Sequence, residues 1–326
     1  MSWDRNCMWL LALAFLVPIM SGDPAVPAGG KEPEENPEQQ FRKPPPEEAL
    51  RFLKSLPRVW RNTRDYDPKG PSKKILVQLF EDYTLEDLKT VKVLQPGGHV
   101  EDPTTPTRFS KRHLRIAPMN WWYFTAFEQL EVFKMGHDME GVTDECLFFL
   151  GHLPQSMQTI KLEMSEATGE GVKCLQTLQN LKSLSLNFSR TIGDVALFHA
   201  AGIESLEELD VCGCPRITGA GVAALAGLEK LRVLKIGSCS LSDASLRHFL
   251  HLPVEELDMS HVEEGWIVEY RGGGHCRFTV SYAGLQALLT YQGSLPNLKR
   301  LVLRKTQFSD AQKQALASLR PGLEVR

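Results

Sequence analysis

The sequence lacks every arrangement that marks a common enzyme or metal centre. Its seven cysteines do not form a C-x-x-C pair with a distant second one, so a zinc ribbon has no spacing behind it. Nine histidines are scattered without an H-E-x-x-H. There is no G-x-S-x-G, no P-loop, and no G-x-G-x-x-G set between a strand and a helix. An excess of positive charge is missing too: at a net charge of -3 the chain offers no basic face for nucleic acid. The apolar run at the start, Met8 to Val17, falls well short of the roughly 20 residues that span a bilayer. No catalytic residue, metal or cofactor is therefore expected, and the remaining composition, 42% hydrophobic and 24% charged, is that of an ordinary folded protein.

The first 22 residues nevertheless have the layout of a secretory signal peptide: an apolar core, then Pro18, then small residues at Ser21 and Gly22. Export to a secreted, periplasmic or cell-envelope location follows as an expectation, with membrane attachment only if this segment stays uncleaved. Residues 23–48 are rich in Pro and Glu and hold few large apolar side chains, so they read as a disordered linker. Residues 49–126 read as an N-terminal capping region. In it Leu50, Leu53, Leu56 and Trp60 share one helical face, and Thr84 with Asp87 forms a capping-box pattern. The segment WWYFTAF, Trp121 to Phe127, is dense in aromatic rings suited to plugging the open end of the domain C-terminal to it.

That domain is a repeat. LEELDVCGCPRITGAGVAALAGLEK from Leu206 is succeeded by LRVLKIGSCSLSDASLRHFLHL from Leu231, and Leu206, Leu209, Val211 and Cys214 recur as Leu231, Leu234, Ile236 and Cys239. Taking the first apolar anchor of each round as Phe127, Met157, Leu181, Leu206, Leu231, Val254 and Leu298 gives steps of 30, 24, 25, 25, 23 and 44 residues. Periods of 20 to 29 residues belong to solenoids, in which no unit buries its own apolar face. Side chains alternate across a strand, so the L-x-L core sends leucines inward, while Gly221, Val222, Leu225 and Leu228 have helical spacing. One buried column is expected to run Met135, Ser165, Ser189, Cys214, Cys239, Val262, Thr306. The last long step carries an insertion, residues 260–278, inside a repeat domain spanning 127–326.

These rounds resemble the cysteine-containing subfamily of leucine-rich repeats, L-x-x-L-x-L-x-x-C-x-x-I-T-D-x-G-L, and secreted bacterial proteins built from them look similar. The resemblance implies an α/β horseshoe solenoid with parallel strands on its concave face and helices on its convex face. It also implies a non-catalytic, monomeric scaffold that binds another protein. Outward strand positions supply the candidate contacts: Glu208, Asp210, Lys235, Asp258, Arg300 and Arg304, with Glu131 and Phe133 in the first round. The inner surface reads as acidic in places through its middle and basic at its end, where Arg300, Arg304 and Lys305 stand. From the insertion, Trp266, Tyr270 and Arg271 flank the run Gly272-Gly273-Gly274, and such residues on a loop are frequent binding anchors. Cys214 and Cys239 are packing residues at the repeat's own cysteine position; as stacked neighbours they leave a disulfide open. The sequon Asn187-Phe188-Ser189 would set a sugar on the concave sheet if used.

Two other readings carry different functions. The same repeats serve as the substrate-recognition half of F-box ubiquitin-ligase adaptors, with Leu56-Pro57 as a faint echo of the box, but RVWRNTRDYDPKG is polar where the box is apolar. An enzyme would need a site in the stretch from Lys74 to Met119, with His99, Asp102 and His113 as its polar groups.

Overall fold

Each L-x-x-L-x-L core folds as a strand of three or four residues because its leucines can all reach one interior only if alternate side chains leave the backbone on opposite sides. A computed structural model of the chain describes residues 41–56, 60–61, 83–95, 116–135, 141–261 and 278–326. Residues Arg42–Arg326 form one unit. Among the described residues it contains a ten-stranded sheet whose spatial order is the order of the chain: β1 Trp60–Arg61, β2 Val93–Gln95, β3 Val132–Met135, β4 Thr159–Leu162, β5 Ser183–Ser185, β6 Glu208–Asp210, β7 Val233–Lys235, β8 Glu256–Asp258, β9 Arg300–Val302 and β10 Glu324–Val325. β1 runs antiparallel to β2, and every later neighbour is parallel.

The inward column Phe133, Ile160, Leu184, Leu209, Leu234, Leu257, Leu301 is in register from strand to strand and fully or almost fully buried. A short helix returns the chain in each round: α1 Pro46–Ser55 and α2 Leu85–Thr90 precede the repeats, and α3 Asp144–Leu150, α4 Gly169–Cys174, α5 Asp194–Ala200, α6 Gly219–Ala224, a 3-10 turn at Asp243–Phe249, α7 Tyr282–Thr290 and α8 Asp310–Ser318 accompany them. Strands stack at about 4.8 Å, whereas packed helices need 8 to 10 Å, so the sheet lies on the inner side of the bend. This is an α/β leucine-rich-repeat solenoid.

The rounds are tied to one another by a device that alternates. Asp144 begins α3, and its carboxylate accepts from the backbone N–H of Thr168 at 2.6 Å and from the Thr168 hydroxyl at 2.7 Å, one round later. Asp194 holds Thr218 in the same way at 2.8 and 2.7 Å, and Asp243 holds Ser281 at 2.7 Å twice. The held Thr or Ser caps its own helix: the Thr168, Thr218 and Ser281 hydroxyl oxygens accept from the N–H groups of Glu170, Ala220 and Gly284. Each held round then carries glycine at the third helical place, Gly171, Gly221 or Gly284, where a Cβ would collide with the same Asp carboxylate. Rounds that give an aspartate therefore alternate with rounds that make room for it.

Several expectations are corrected. Phe133, expected to face outward, lies opposite Ile160 and is completely buried. The first round is anchored by Leu130 rather than Phe127, so its step in register is 27 residues and its outward residues are Val132 and Lys134. FEQLEVF offers two overlapping frames three residues apart, and the frame that buries Phe133 against Trp121 and Phe124 wins. Met135 pairs with Leu162, so it belongs to the strand interior and not to the column of Ser165, Ser189, Cys214 and Cys239. Ser165 and Ser189 do meet, with hydroxyls 3.0 Å apart. Cys214 and Cys239 are thiols without a bridge. Their Sγ atoms donate instead to the carbonyls of Leu186 and Val211, each at 3.2 Å, which fixes them in separate turns. Val262, like Trp60's side chain, lies outside the described residues. In α1 the buried residues are Ala49 and Leu53, while Leu50 and Leu56 are only half-buried.

The 3-10 segment Pro118–Ala126 carries Trp121 and Phe124 into the interior, and Trp122 and Tyr123 toward α1: Trp122 Nε1 donates to the Arg42 carbonyl at 2.8 Å and Tyr123 stacks on Phe52. The sheet does not stop at these rings. β2 extends it by pairing Val93 and Leu94 with Val132 and Phe133, just after α2, whose Thr84–Asp87 capping box is formed.

Candidate protein-binding face

Outward strand residues stack in columns because the strands are in register. One column reads Val132, Thr159, Ser183, Glu208, Val233, Glu256, Arg300, Glu324, and the next Lys134, Lys161, Ser185, Asp210, Lys235, Asp258, Val302. A third row, just before the strands, is composed of ion pairs: Lys92–Glu131 at 2.6 Å, Lys182–Glu207 at 3.1 Å, and Glu255 between Arg232 at 3.7 Å and Lys299 at 2.6 Å. Pairs this exposed contribute about 0–1 kcal/mol each and act mainly to cancel charge along the rim.

Of the residues expected to make contact, several are occupied by one another. Glu208 accepts from Lys235 Nζ at 2.7 Å and from the Ser183 hydroxyl at 3.1 Å. Burial works to raise the Glu208 carboxyl, but Lys235, helped by Lys161 and Ser183, outweighs it and holds the group below its usual value. Burial likewise opposes the charge on Lys235, and Glu208 with Asp210 and Glu256 overcomes it, so that amine is held above its usual value. Arg300 bridges Glu256 and Glu324, the latter at 3.2 Å. The basic end expected from Arg300 is thus largely neutralised by strand neighbours, and Arg304 remains exposed beside the Ser260 hydroxyl, which accepts from the Arg304 N–H at 3.2 Å.

Asp210 and Asp258, candidate contacts at outward strand positions, are half-buried. Each turns a carboxylate oxygen onto the N–H two residues on, of Cys212 at 3.1 Å and of Ser260 at 2.8 Å. For Asp210 burial dominates, and the carboxyl is held above its ordinary value despite Cys212 and Lys235. Trp266, Tyr270 and Arg271 of the insertion lie outside the described residues, as do His99, Asp102 and His113. In the sequon, Ser189 is fully buried and Asn187 half-buried.

Two features escaped the sequence. Lys134 was displaced from the face by the misplaced first frame; its register with Lys161 puts two cations side by side at the N-terminal end. The Asp–Thr ties were written in the alternation of Asp144, Gly171, Asp194, Gly221, Asp243 and Gly284, but their meaning depends on a partner a full round away. Among the described residues no helix is long and apolar enough to cross a membrane.

Comparison with known proteins agrees with the repeat. Residues 203–226, one full round from the connection after α5 through β6 and the whole of α6, match the family model described as Leucine Rich repeat. The matched residues are one leucine-rich repeat, and the geometry of that round recurs from β3 to β9. Among solved structures it is similar to an internalin from Listeria monocytogenes, at 16% identity and a TM-score of 0.38, over 62% of this chain and 49% of that one. The chain thus spans about half the length of that internalin.

Proposed function

We propose that this chain is a non-catalytic, exported scaffold that binds another protein through the outward side of its sheet and through the insertion 260–278. The observation that carries the reading is the sheet itself: seven in-register strands from β3 to β9 put two columns of side chains on one side, rigidly spaced by the buried leucine column beneath them. Binding groups held on strands are positioned with little entropy left to lose, which favours recognition of one surface over others. Polar and charged side chains dominate the accessible part of those columns, with Val132 and Val233 interspersed while Ser185 and Val302 are buried, a mixture suited to a polar partner surface. Asp210, Asp258 and Arg304 are the contacts the reading retains, together with Trp266, Tyr270 and Arg271 of the insertion. Glu208, Lys235 and Arg300 would contribute by shape and by their paired dipoles.

The test is a substitution that fills the face without touching the interior. Val233 stands outward between Glu208 and Glu256, so Val233→Arg should fold with an unchanged circular dichroism spectrum and lose the partner captured by the intact chain. Lys173→Glu, on α4 at the opposite side, should keep it. Retention by Val233→Arg, or equal loss by both variants, would place binding elsewhere.

A further inference from the structure

The outward charges of β6, β7 and β8 do not balance. Glu208, Asp210, Glu256 and Asp258 supply four carboxylates there, and Lys235 the one ammonium. Lys235 Nζ turns diagonally to Glu208, while Glu256 is taken by Arg300 of β9, which Glu324 shares. Asp210 and Asp258 are left over: among the described residues neither has a cation within ion-pair distance. They stand in register on either side of Lys235, two strand spacings or about 9.6 Å apart. Each carboxylate is only half used. Oδ1 accepts one backbone N–H, of Cys212 at 3.1 Å or of Ser260 at 2.8 Å, and Oδ2 takes no hydrogen bond among the described residues. Neither Oδ2 is one of the sealed, partnerless polar atoms of the interior, so both remain within reach of a partner. Burial holds the Asp210 carboxyl above its ordinary value although the Cys212 N–H, Lys235 and Lys161 favour its charge, with Glu208 opposing them. The chain's own cations thus leave that charge incompletely compensated, and a cation from outside would complete it.

We propose that the middle of the sheet binds an extended basic segment of the partner protein, one arginine or lysine on Asp210 and another on Asp258. The inference rests on the sheet being the binding face and names what that face selects. Residues two apart in an extended segment point the same way about 6.6 Å apart, and long basic side chains span the remaining distance to the two carboxylates. A guanidinium suits the place, because it can donate to the open Oδ2 while Oδ1 keeps its backbone N–H. Val233, between Glu208 and Glu256, offers apolar surface to the stem of such a side chain, and Lys134 and Lys161 on β3 and β4 repel the segment from the N-terminal end. A single metal ion does not fit: its oxygen ligands lie at about 2.3 to 2.6 Å, far short of the distance between these carboxylates.

The experiment titrates the full chain with fluorescein-labelled hexaarginine and hexaglutamate at low and high salt, with calcium chloride as competitor. Hexaarginine should bind in a salt-sensitive way, hexaglutamate should bind more weakly, and calcium should displace hexaarginine no more than sodium does at equal ionic strength. The double variant Asp210→Asn with Asp258→Asn should weaken hexaarginine about tenfold or more, since two charge-assisted contacts are lost. Asn keeps an acceptor oxygen for the Cys212 and Ser260 N–H groups, so the thermal midpoint should be equal or higher and lost binding cannot be ascribed to unfolding. Glu145→Gln with Glu170→Gln, which removes the same charge from α3 and α4, should bind as the parent does. No hexaarginine binding, equal binding by the Asp double variant, equal loss by both double variants, or selective displacement by calcium would overturn the proposal. Should that happen while Val233→Arg still abolishes partner capture, only the basic ligand falls; if Val233→Arg is silent as well, the binding face falls with it.

Discussion

Removing the Asp194 carboxylate tests how one round is fastened to the next. Asp194→Ala deprives the Thr218 N–H and hydroxyl of an acceptor they reach at 2.8 and 2.7 Å. Hydrogen bonds to a charged group contribute about 1.5 to 3 kcal/mol each, and water can replace part of the loss at this half-buried place, so the cost should be roughly 2 to 4 kcal/mol. Gly221→Ala provides the second arm. In an exposed helix interior that change would gain about 0.5 to 1 kcal/mol, but here the new methyl runs into the Asp194 carboxylate, with Leu197 Cδ1 also at 3.0 Å. With the carboxylate deleted the closest clash is gone, leaving the Cα of residue 194 and Leu197 Cδ1, each at 3.0 Å, to shift by a few tenths of an ångström. Urea unfolding of the parent, both single variants and the double variant, followed by far-ultraviolet circular dichroism, should therefore show Gly221→Ala costing at least 1 kcal/mol less in the Asp194→Ala background. Additive costs, agreeing within about 0.5 kcal/mol, would refute the shared space between these residues.

Two further outcomes concern the buried groups. The folded Asp210 carboxyl is raised chiefly by burial, so its contribution to stability is fully present below the unfolded value near 3.9 and is lost as pH rises through the folded value. Asp210→Asn should accordingly melt higher than the parent at pH 7, with the gap closing below about pH 4; a lower melting point at pH 7 would show that Lys235 outweighs burial. In native protein Cys146, Cys214 and Cys239 should resist alkylation at pH 8, the first with its thiol pushed up to about 11 and all three fully buried. After denaturation without reductant all three should be labelled, and a mass two labels short would reveal a bridge.

The solenoid was legible because the leucines carry it: a buried side chain at every second strand position is a constraint that each round repeats, and Leu184, Leu209, Leu234 and Leu257 fall in register as their spacing requires. The ends were less legible. In FEQLEVF, aromatic and leucine residues satisfy two frames, and only Trp121 and Phe124 overhead decide that Phe133 turns in. β2 was missed as a continuation of the sheet because Val93 and Leu94 form a short apolar pair far from any repeat signal. The charges of the face were visible one by one, but which ones cancel was not. That depends on diagonal contacts such as Glu208 to Lys235, 27 residues apart in the chain. The alternation of Asp and Gly at the helix starts was likewise in plain view and acquires meaning only when adjacent rounds are stacked.

The most direct measurement is photo-crosslinking from the two sides of the solenoid. A benzophenone side chain placed at Asp258, outward on β8, should give a saturable adduct with a single protein that excess unlabelled chain competes away. The same group at Lys173 on α4 should give none. An adduct from position 173 with none from position 258 would contradict the claim that the sheet is the surface through which this protein acts.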